Sequence, residues 1–363
     1  MDNINYEAAG VSIETANDTK KNFKDIVSSA NLTHCKPINQ VGAFASLVEI
    51  GLKNYENPVF VLKSEEPGSK QMLSIENNRI EWIARDLINH LINDIIVMGA
   101  TPCAVLDTII CGKFEKDVVL KLVGEMSKAC LKNNCALVGG ETSEQPGMLP
   151  AGRYVLQASV LGIVDKAKII DGKNIKCGDA VIALASNGLH TNGYSLVRKL
   201  IETKPEILNE KINGESFLDS ILKPHLSYYS AVKIMLEKYF GHIHGMAHIT
   251  GGGISDNLTR IMQNENLQAS IDLSKIKVLP IFNVIKNYAN MTNDDMLNNS
   301  PFNNGVGLIV VAGEKETDAI IETLKLTLKL KEEKIDAYRI GQIVESDSDK
   351  KVVLNNELIW ESI

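Results

Sequence analysis

Five stretches of this chain carry residue types whose spacing can do chemistry. In "VFVLKSEEPGSKQML", residues 59–73, an apolar strand runs into a loop holding Glu65, Glu66, Gly68, Ser69 and Lys70. Two carboxylates, a glycine and a lysine in so short a turn suit a metal and a phosphate, and they suit a solvated surface loop equally well. In "RDLINHLINDIIVMG", residues 85–99, Leu87, Ile88, Leu91, Ile92, Ile95 and Ile96 form a helical apolar arc. Asp86, His90, Asn93 and Asp94 share the opposite face at helical spacing. That face is either wet or, since it carries almost no Lys or Glu, a set of oxygen ligands for a hard cation at Asn93-Asp94.

The other three stretches are richer in glycine. "LVGGETSEQPGM", residues 137–148, takes a buried strand into Gly139 and Gly140, where backbone can approach a ligand, followed by the oxygens of Glu141 and Thr142. "ASNGLHTNGYSLVRK", residues 185–199, sets His190 and Asn192 between two Asn-Gly turns ahead of a helix whose first N–H groups suit phosphate oxygens. "GMAHITGGGISDNLTRI", residues 245–261, places His248 and Thr250 before Gly251, Gly252 and Gly253 and then a helix, an arrangement that fits an anion cradle. Neither Gly-x-x-x-x-Gly-Lys-Ser/Thr nor Gly-x-Gly-x-x-Gly occurs, so the common nucleotide loops are excluded.

Strands and helices must alternate to position these stretches. Strands are expected at Val59–Leu62, in "PCAVLDTIICG", "ALVGG" and "YVLQASVLGIVD", at Ala180–Ala185 and at Gly307–Ala312. Helices are expected at Ile83–Met98, Lys116–Asn134 and Ser195–Thr203, and over 226–239 and 254–264. Residues 21–55 read as helical and then apolar, and 139–152 as a loop. With 363 residues the chain exceeds one hydrophobic core, and turn signals near residue 170 suggest two domains, 1–170 and 171–363. Mixed elements in both halves make the class α/β or α+β. A net charge of −7 gives no electrostatic footprint for nucleic acid. The scattered cysteines read as buried thiols of a reducing compartment, and no apolar run is long enough for a membrane span, so a cytoplasmic protein is expected.

Taken in order, "YEAAGVSI", "VGAF", "INDIIVMGATPCAVLD", "VGGETSEQPGM", "SNGLHTNGYSLVRK", "AHITGGGISDN" and "FNNGVGLIV" resemble the phosphoribosylformylglycinamidine cyclo-ligases, also called aminoimidazole ribonucleotide synthetases. The similarity spans nearly the whole chain. It implies a two-domain ATP-binding α/β fold in a homodimer, with N-terminal sheets pairing into a barrel across the two-fold. It implies an ATP- and Mg²⁺-dependent ring closure on a small ribonucleotide. The N-terminal domain would bind ATP and Mg²⁺ and dimerise, and the C-terminal domain would complete the substrate site. Carried over position by position, the resemblance gives Glu65, Asp94 and Glu141 to the metal. It gives Gly68, Ser69, Asn93, Gly139, Gly140 and Thr142 to the nucleotide. His190, Asn192 and Lys70 fall to catalysis, and His248, Thr250, Gly251, Gly252 and Gly253 to the substrate.

The loop at 62–70 departs from the family pattern Ser-Gly-Thr-Asp-Gly-Val-Gly-Thr-Lys. Glu65 replaces Asp, Lys63 and Glu66 replace glycines, and Pro67 replaces Val, which removes an N–H donor. Ser12 stands where the family usually has Asp, and Arg85 and His90 are new. Two further readings follow: a cyclo-ligase-like paralogue that binds without turnover, and a small-molecule kinase of the same superfamily. The selenophosphate synthetase and hydrogenase-maturation relatives fit less well, since no Cys stands in the early loop or in the closing "LIWESI".

Overall fold

The structure is a computed structural model that describes residues 34–39, 42–298, 300–330, 335–346 and 348–360, with Phe23 and Leu32. The N-terminal arm with Ser12 lies outside the described residues. The chain divides into two compact units, Met1–Ile95 with Ala100–Lys168, and Ile96–Gly99 with Ile169–Ile363.

The first unit is built on a four-stranded sheet in the order β3 (Pro58–Glu65), β6 (Tyr154–Asp165), β4 (Thr101–Cys111), β5 (Ala136–Glu144). β6 is antiparallel to both neighbours, and β4 and β5 run parallel. One face is covered. Helix Lys116–Lys132 buries Val119, Leu122, Val123, Met126 and Cys130, the stripe that 3.6-residue periodicity dictates. Helix Ile80–Ile96 buries its apolar arc and its polar face as well: Asp86 and Asn93 are fully buried and His90 nearly so. The wet-face reading of this helix is thereby overturned. The helix stops ahead of Gly99, whose φ of +81° suits glycine.

The opposite face of the sheet is largely uncovered. Phe60, Leu62, Leu106 and Val155 are exposed there, on the positions that alternate with the covered ones. Within residues 21–55 the described part is extended rather than helical: β1 (Cys35–Pro37) pairs antiparallel with β2 (Val48–Ile50). Cys35, Cys103 and Ile163 share a small core with them, so long-range packing outweighs local propensity. Burial pushes the Cys103 thiol up to about 12, with the neighbouring thiols Cys35 and Cys135 adding to it, which keeps it protonated and inert.

The second unit holds a six-stranded sheet in the order β10 (Ile243–His248), β12 (Val306–Ala312), β7 (Ala180–Ala185), β13 (Ala337–Glu345), β11 (Leu267–Asp272), β14 (Val352–Asn355). All neighbours are antiparallel except β11 and β14. A short ribbon, β8 (Lys211–Ile212) with β9 (Glu215–Ser216), stands apart. β12 is buried at every position, as its unbroken apolar run "VGLIVVA" requires of a strand covered on both faces. Val181, Ala183, Ile309 and Val311 pack against Ile254 and Leu258 of helix Gly253–Thr259. Among the described residues no helix is long and apolar enough to cross a membrane.

Candidate functional site

In the first unit the charged candidates gather on the covered face and edge of the sheet. β3 continues past Leu62 to Glu65, so Glu65 is a strand residue and shares a face with Lys63. The Lys63 Nζ lies 2.7 Å from Glu65 Oε1 and 3.2 Å from Asp94 Oδ2. Burial pulls the Lys63 pKa down, but the Glu65 hydrogen bond and the Asp94 charge outweigh it and the net direction is up. His90 Nε2 approaches the same Asp94 oxygen at 4.0 Å from one helical turn away.

Gly139 and Gly140 do not form a turn. β5 runs straight through them to Glu144, and Gly140 pairs with Asp107 of β4. A Cβ on Gly140 would overlap the Asp107 side chain and carbonyl, and one on Gly139 would overlap Ser46 Oγ. These glycines admit neighbouring side chains, which sequence alone could not distinguish from admitting a ligand. Glu141 is the next residue and is exposed, and its Oε1 accepts from the N–H of Thr142 at 2.9 Å.

Asp107 was not singled out by the sequence reading. It is buried, and burial pushes its pKa up to about 7, with the Glu141 charge adding to the rise. Glu65 and Asp107 both register with Ala158 of β6, so the two acids flank one residue of the central strand. The missed signal was a lone carboxylate inside the apolar run "CAVLDTIIC".

The loop after β3 spends its own donors. Glu66 N–H donates to Glu65 Oε2 at 3.3 Å, Pro67 has none, and Gly68 N–H donates to Glu66 Oε2 at 2.8 Å. Gly68 takes a φ of +62°, and Ser69 caps no backbone group of the short helix Lys70–Glu76. Lys70 is fully buried, and its Nζ donates to the equally buried Asp86 Oδ1 at 2.7 Å. Burial pulls the Lys70 pKa down against the opposing pull of Asp86.

In the second unit the candidates are imidazole, amide and hydroxyl groups. The loop after β7 is buried rather than a surface loop. Ser186 Oγ donates to Asn303 Oδ1 at 2.9 Å, and Asn303 Nδ2 donates to Gly188 O at 2.9 Å, which fastens residues 186–188 to the "PFNNG" turn. His190 is buried and held at a φ of +62°, a conformation uncommon for any residue but glycine. A Cβ on Gly307 of β12 would collide with Tyr228 Oη and His190 Cε1, so this glycine makes room for the imidazole.

His190 stacks on His225 with ring centroids 3.9 Å apart and an interplanar angle of 18°. His225 Nε2 lies 2.9 Å from His248 Nε2, and His225 Nδ1 is 3.3 Å from Thr191 Oγ1. One of the facing Nε2 atoms therefore carries the proton and the other accepts it. His225 was missed as well: a lone His in "LKPHLSYY" gives no local sign of partners far along the chain. Ring nitrogens of all three histidines lie within 4.8 Å of one another. An ion must lie in the plane of each ligating ring, so the near-parallel stack suits contact with an oxyanion better than one shared metal.

The glycine turn lies beside Asn192, whose Oδ1 faces Gly251. Gly252 and Gly253 have φ of +92° and +64°. Asn257 staples the turn, its Nδ2 donating to Gly251 O at 3.2 Å and Gly253 O at 2.7 Å, while Thr250 Oγ1 donates to Asn257 Oδ1 at 3.2 Å. His190, Asn192, His248 and the Thr250–Gly253 turn thus belong to one unit, and Glu65, Lys63, Asp94, Asp107, Gly140 and Glu141 to the other.

Family models match both units: "AIR synthase related protein, N-terminal domain" over residues 59–164, and the corresponding C-terminal domain over 176–353. A phosphoribosylformylglycinamidine cyclo-ligase of Neisseria meningitidis serogroup C is 35% identical over 348 residues, 96% of this chain and 97% of that one. That of Nitrosococcus oceani is 35% identical over 97% of this chain and 95% of its own. Among solved structures, hydrogenase maturation protein HypE of E. coli aligns with a TM-score of 0.64 at 15% identity over 93% of both chains. Thiamine-monophosphate kinase of Stenotrophomonas maltophilia aligns with a TM-score of 0.58 at 15% identity, over 93% of this chain and 96% of that one. At these identities the two structures speak for the fold.

Proposed function

This chain belongs to the phosphoribosylformylglycinamidine cyclo-ligase family, and from that premise we propose that it closes the imidazole ring of aminoimidazole ribonucleotide at the expense of ATP. The observation that carries the reading is near-full-length identity of 35% to named cyclo-ligases. In the proposed reaction the formyl amide oxygen of formylglycinamidine ribonucleotide takes the terminal phosphoryl group of ATP. The amidine nitrogen then attacks that carbon, and phosphate departs with the oxygen.

The first unit's residues fit a divalent ion. The Lys63 ammonium lies against Glu65 and Asp94 together, which supports a cation held by both carboxylates. Glu65, Asp94 and Glu141 would hold Mg²⁺, with Asn93, Gly68, Ser69, Gly139, Gly140 and Thr142 around the nucleotide. Held by these carboxylates, Mg²⁺ would supply positive charge to offset that of the transferring phosphoryl group. Lys70, spent on Asp86, anchors the end of the loop to helix Ile80–Ile96. His190 and Asn192 orient the amide oxygen, and His248 with Thr250–Gly253 holds the ribonucleotide. The His225–His248 pair would accept the proton that the closing nitrogen sheds.

A cytoplasmic homodimer completes the proposal. The uncovered sheet face with Phe60, Leu62, Leu106 and Val155 supports pairing of two such sheets into a barrel. Leu62→Asp is expected to yield monomers in sedimentation analysis.

The test is direct. Purified protein, formylglycinamidine ribonucleotide, ATP and Mg²⁺ should release ADP and form an aminoimidazole detectable by diazo coupling. A folded protein with no turnover would move the reading to a non-catalytic paralogue, and ADP release without ring closure would move it to a small-molecule kinase.

A further inference from the structure

The loop after β3 raises a physical problem for a phosphate site. Its Glu66 and Gly68 N–H groups are taken by the loop's own carboxylates and Pro67 offers none. Helix Lys70–Glu76 is only seven residues long and presents no anion-binding start of its own. The ammonium of Lys70 is buried against Asp86. Three acids, Glu65, Asp94 and Glu141, meanwhile add negative charge where a polyphosphate must bind.

Lys63 resolves the problem. Its position on β3 aims it along the same face as Glu65, and its ammonium reaches Glu65 and Asp94 at 2.7 and 3.2 Å. The side chain remains about one-third exposed, so a ligand can reach it. Lysine is a compact point charge with three donors, able to hold two carboxylates and still offer a hydrogen to a phosphate oxygen.

We propose that Lys63 is a tethered cation of the phosphate site, standing between Glu65 and Asp94 in place of a second divalent ion, so that the polyphosphate is held with the one Mg²⁺ of the proposed function rather than with two. It takes over the work of the N–H donors that the loop has lost to Glu65 and Glu66. This inference rests on the nucleotide-binding reading and specifies the chemistry of its first unit.

Manganese binding, followed by the EPR signal of free Mn²⁺, tests it. Without nucleotide, Lys63→Met should bind Mn²⁺ about tenfold more tightly than the unaltered protein, because a like charge a few ångströms from the ion is gone. With a non-hydrolysable ATP analogue, Lys63→Met should take up one more Mn²⁺ per chain, and Lys63→Arg should match the unaltered protein. Unchanged Mn²⁺ affinity and stoichiometry in Lys63→Met overturn the proposal. A second arm needs no variant: in EDTA the unaltered protein should retain measurable affinity for the ATP analogue, and complete loss of binding without metal also overturns it. Should the analogue fail to bind with metal present, the nucleotide reading itself falls, while the Mn²⁺ titration without nucleotide still decides whether Lys63 occupies the ion's place.

Discussion

The two candidate regions are built from opposite materials. In the first unit Lys63, Glu65 and Asp94 form ion pairs along the sheet, and Asp107 is a buried carboxyl on the same sheet. In the second, His190, His225, His248, Asn192 and Asn257 supply imidazole rings and side-chain amides. Charge in the first is balanced by charge, in the pairs Lys63–Glu65 and Lys70–Asp86. Shape in the second is fixed by hydrogen bonds to backbone and by left-handed turns. One device is shared: Gly140 leaves room for Asp107 and Gly307 leaves room for His190. A charged region can therefore be tuned by ions, whereas an imidazole and amide region packed this closely is sensitive to steric fit.

The sharpest break in this contrast is Lys70→Ala. It removes the ammonium paired with the fully buried Asp86 and should cost about 3–5 kcal/mol in urea unfolding. Lys70→Met with Asp86→Leu should recover most of that loss, since a paired removal leaves no buried charge. Gly307→Ala comes next. Its methyl would press on Tyr228 and His190, and a loss of roughly 1–3 kcal/mol is expected, with the substrate KM rising more than the nucleotide KM. If both constants shift alike, the imidazole cluster does not belong to the ribonucleotide.

A pH series separates the regions further. The folded pKa of Asp107 is raised to about 7 from an unfolded value near the usual carboxylate range. Between those values the folded state binds more protons than the unfolded one, so stability falls as pH rises toward 7. In EDTA, Asp107→Asn should remove this loss, and its stability advantage over the unaltered protein should grow from pH 5 to pH 8 in denaturant titrations. Asp94→Asn should weaken Mn²⁺ and Mg²⁺–ATP binding by about tenfold and leave the oligomeric state unchanged in sedimentation. Smallest is Lys121→Ala, which removes a half-exposed partner of Glu81 and should change stability by no more than ~1 kcal/mol.

Helix Lys116–Lys132 and strands β4, β6, β7 and β12 were legible because their periodicity is a local property of the chain. So was the family, since its motifs are short and linear. β5 through Gly139 and Gly140 was not legible, because Gly140 makes room for Asp107 on β4 and Gly139 for Ser46, both more than thirty positions away. The buried polar face of helix Ile80–Ile96 was hidden for the same reason: an amphipathic pattern states which face is polar, not whether water reaches it. His225 and Asp107 acquire meaning only from His190, His248 and Glu141.

The sequence by itself determined the family and the mixed α/β class, since residue type and linear spacing carry that information. Only the tertiary structure decided how "SEEPGSK" is used. There the loop turns its N–H groups onto its own carboxylates, Lys70 faces Asp86, and Lys63 meets Asp94 from a strand some thirty residues earlier. Hydrogen bonds and ion pairs are set by distance in space, and distance in space is what the linear order of residues leaves open.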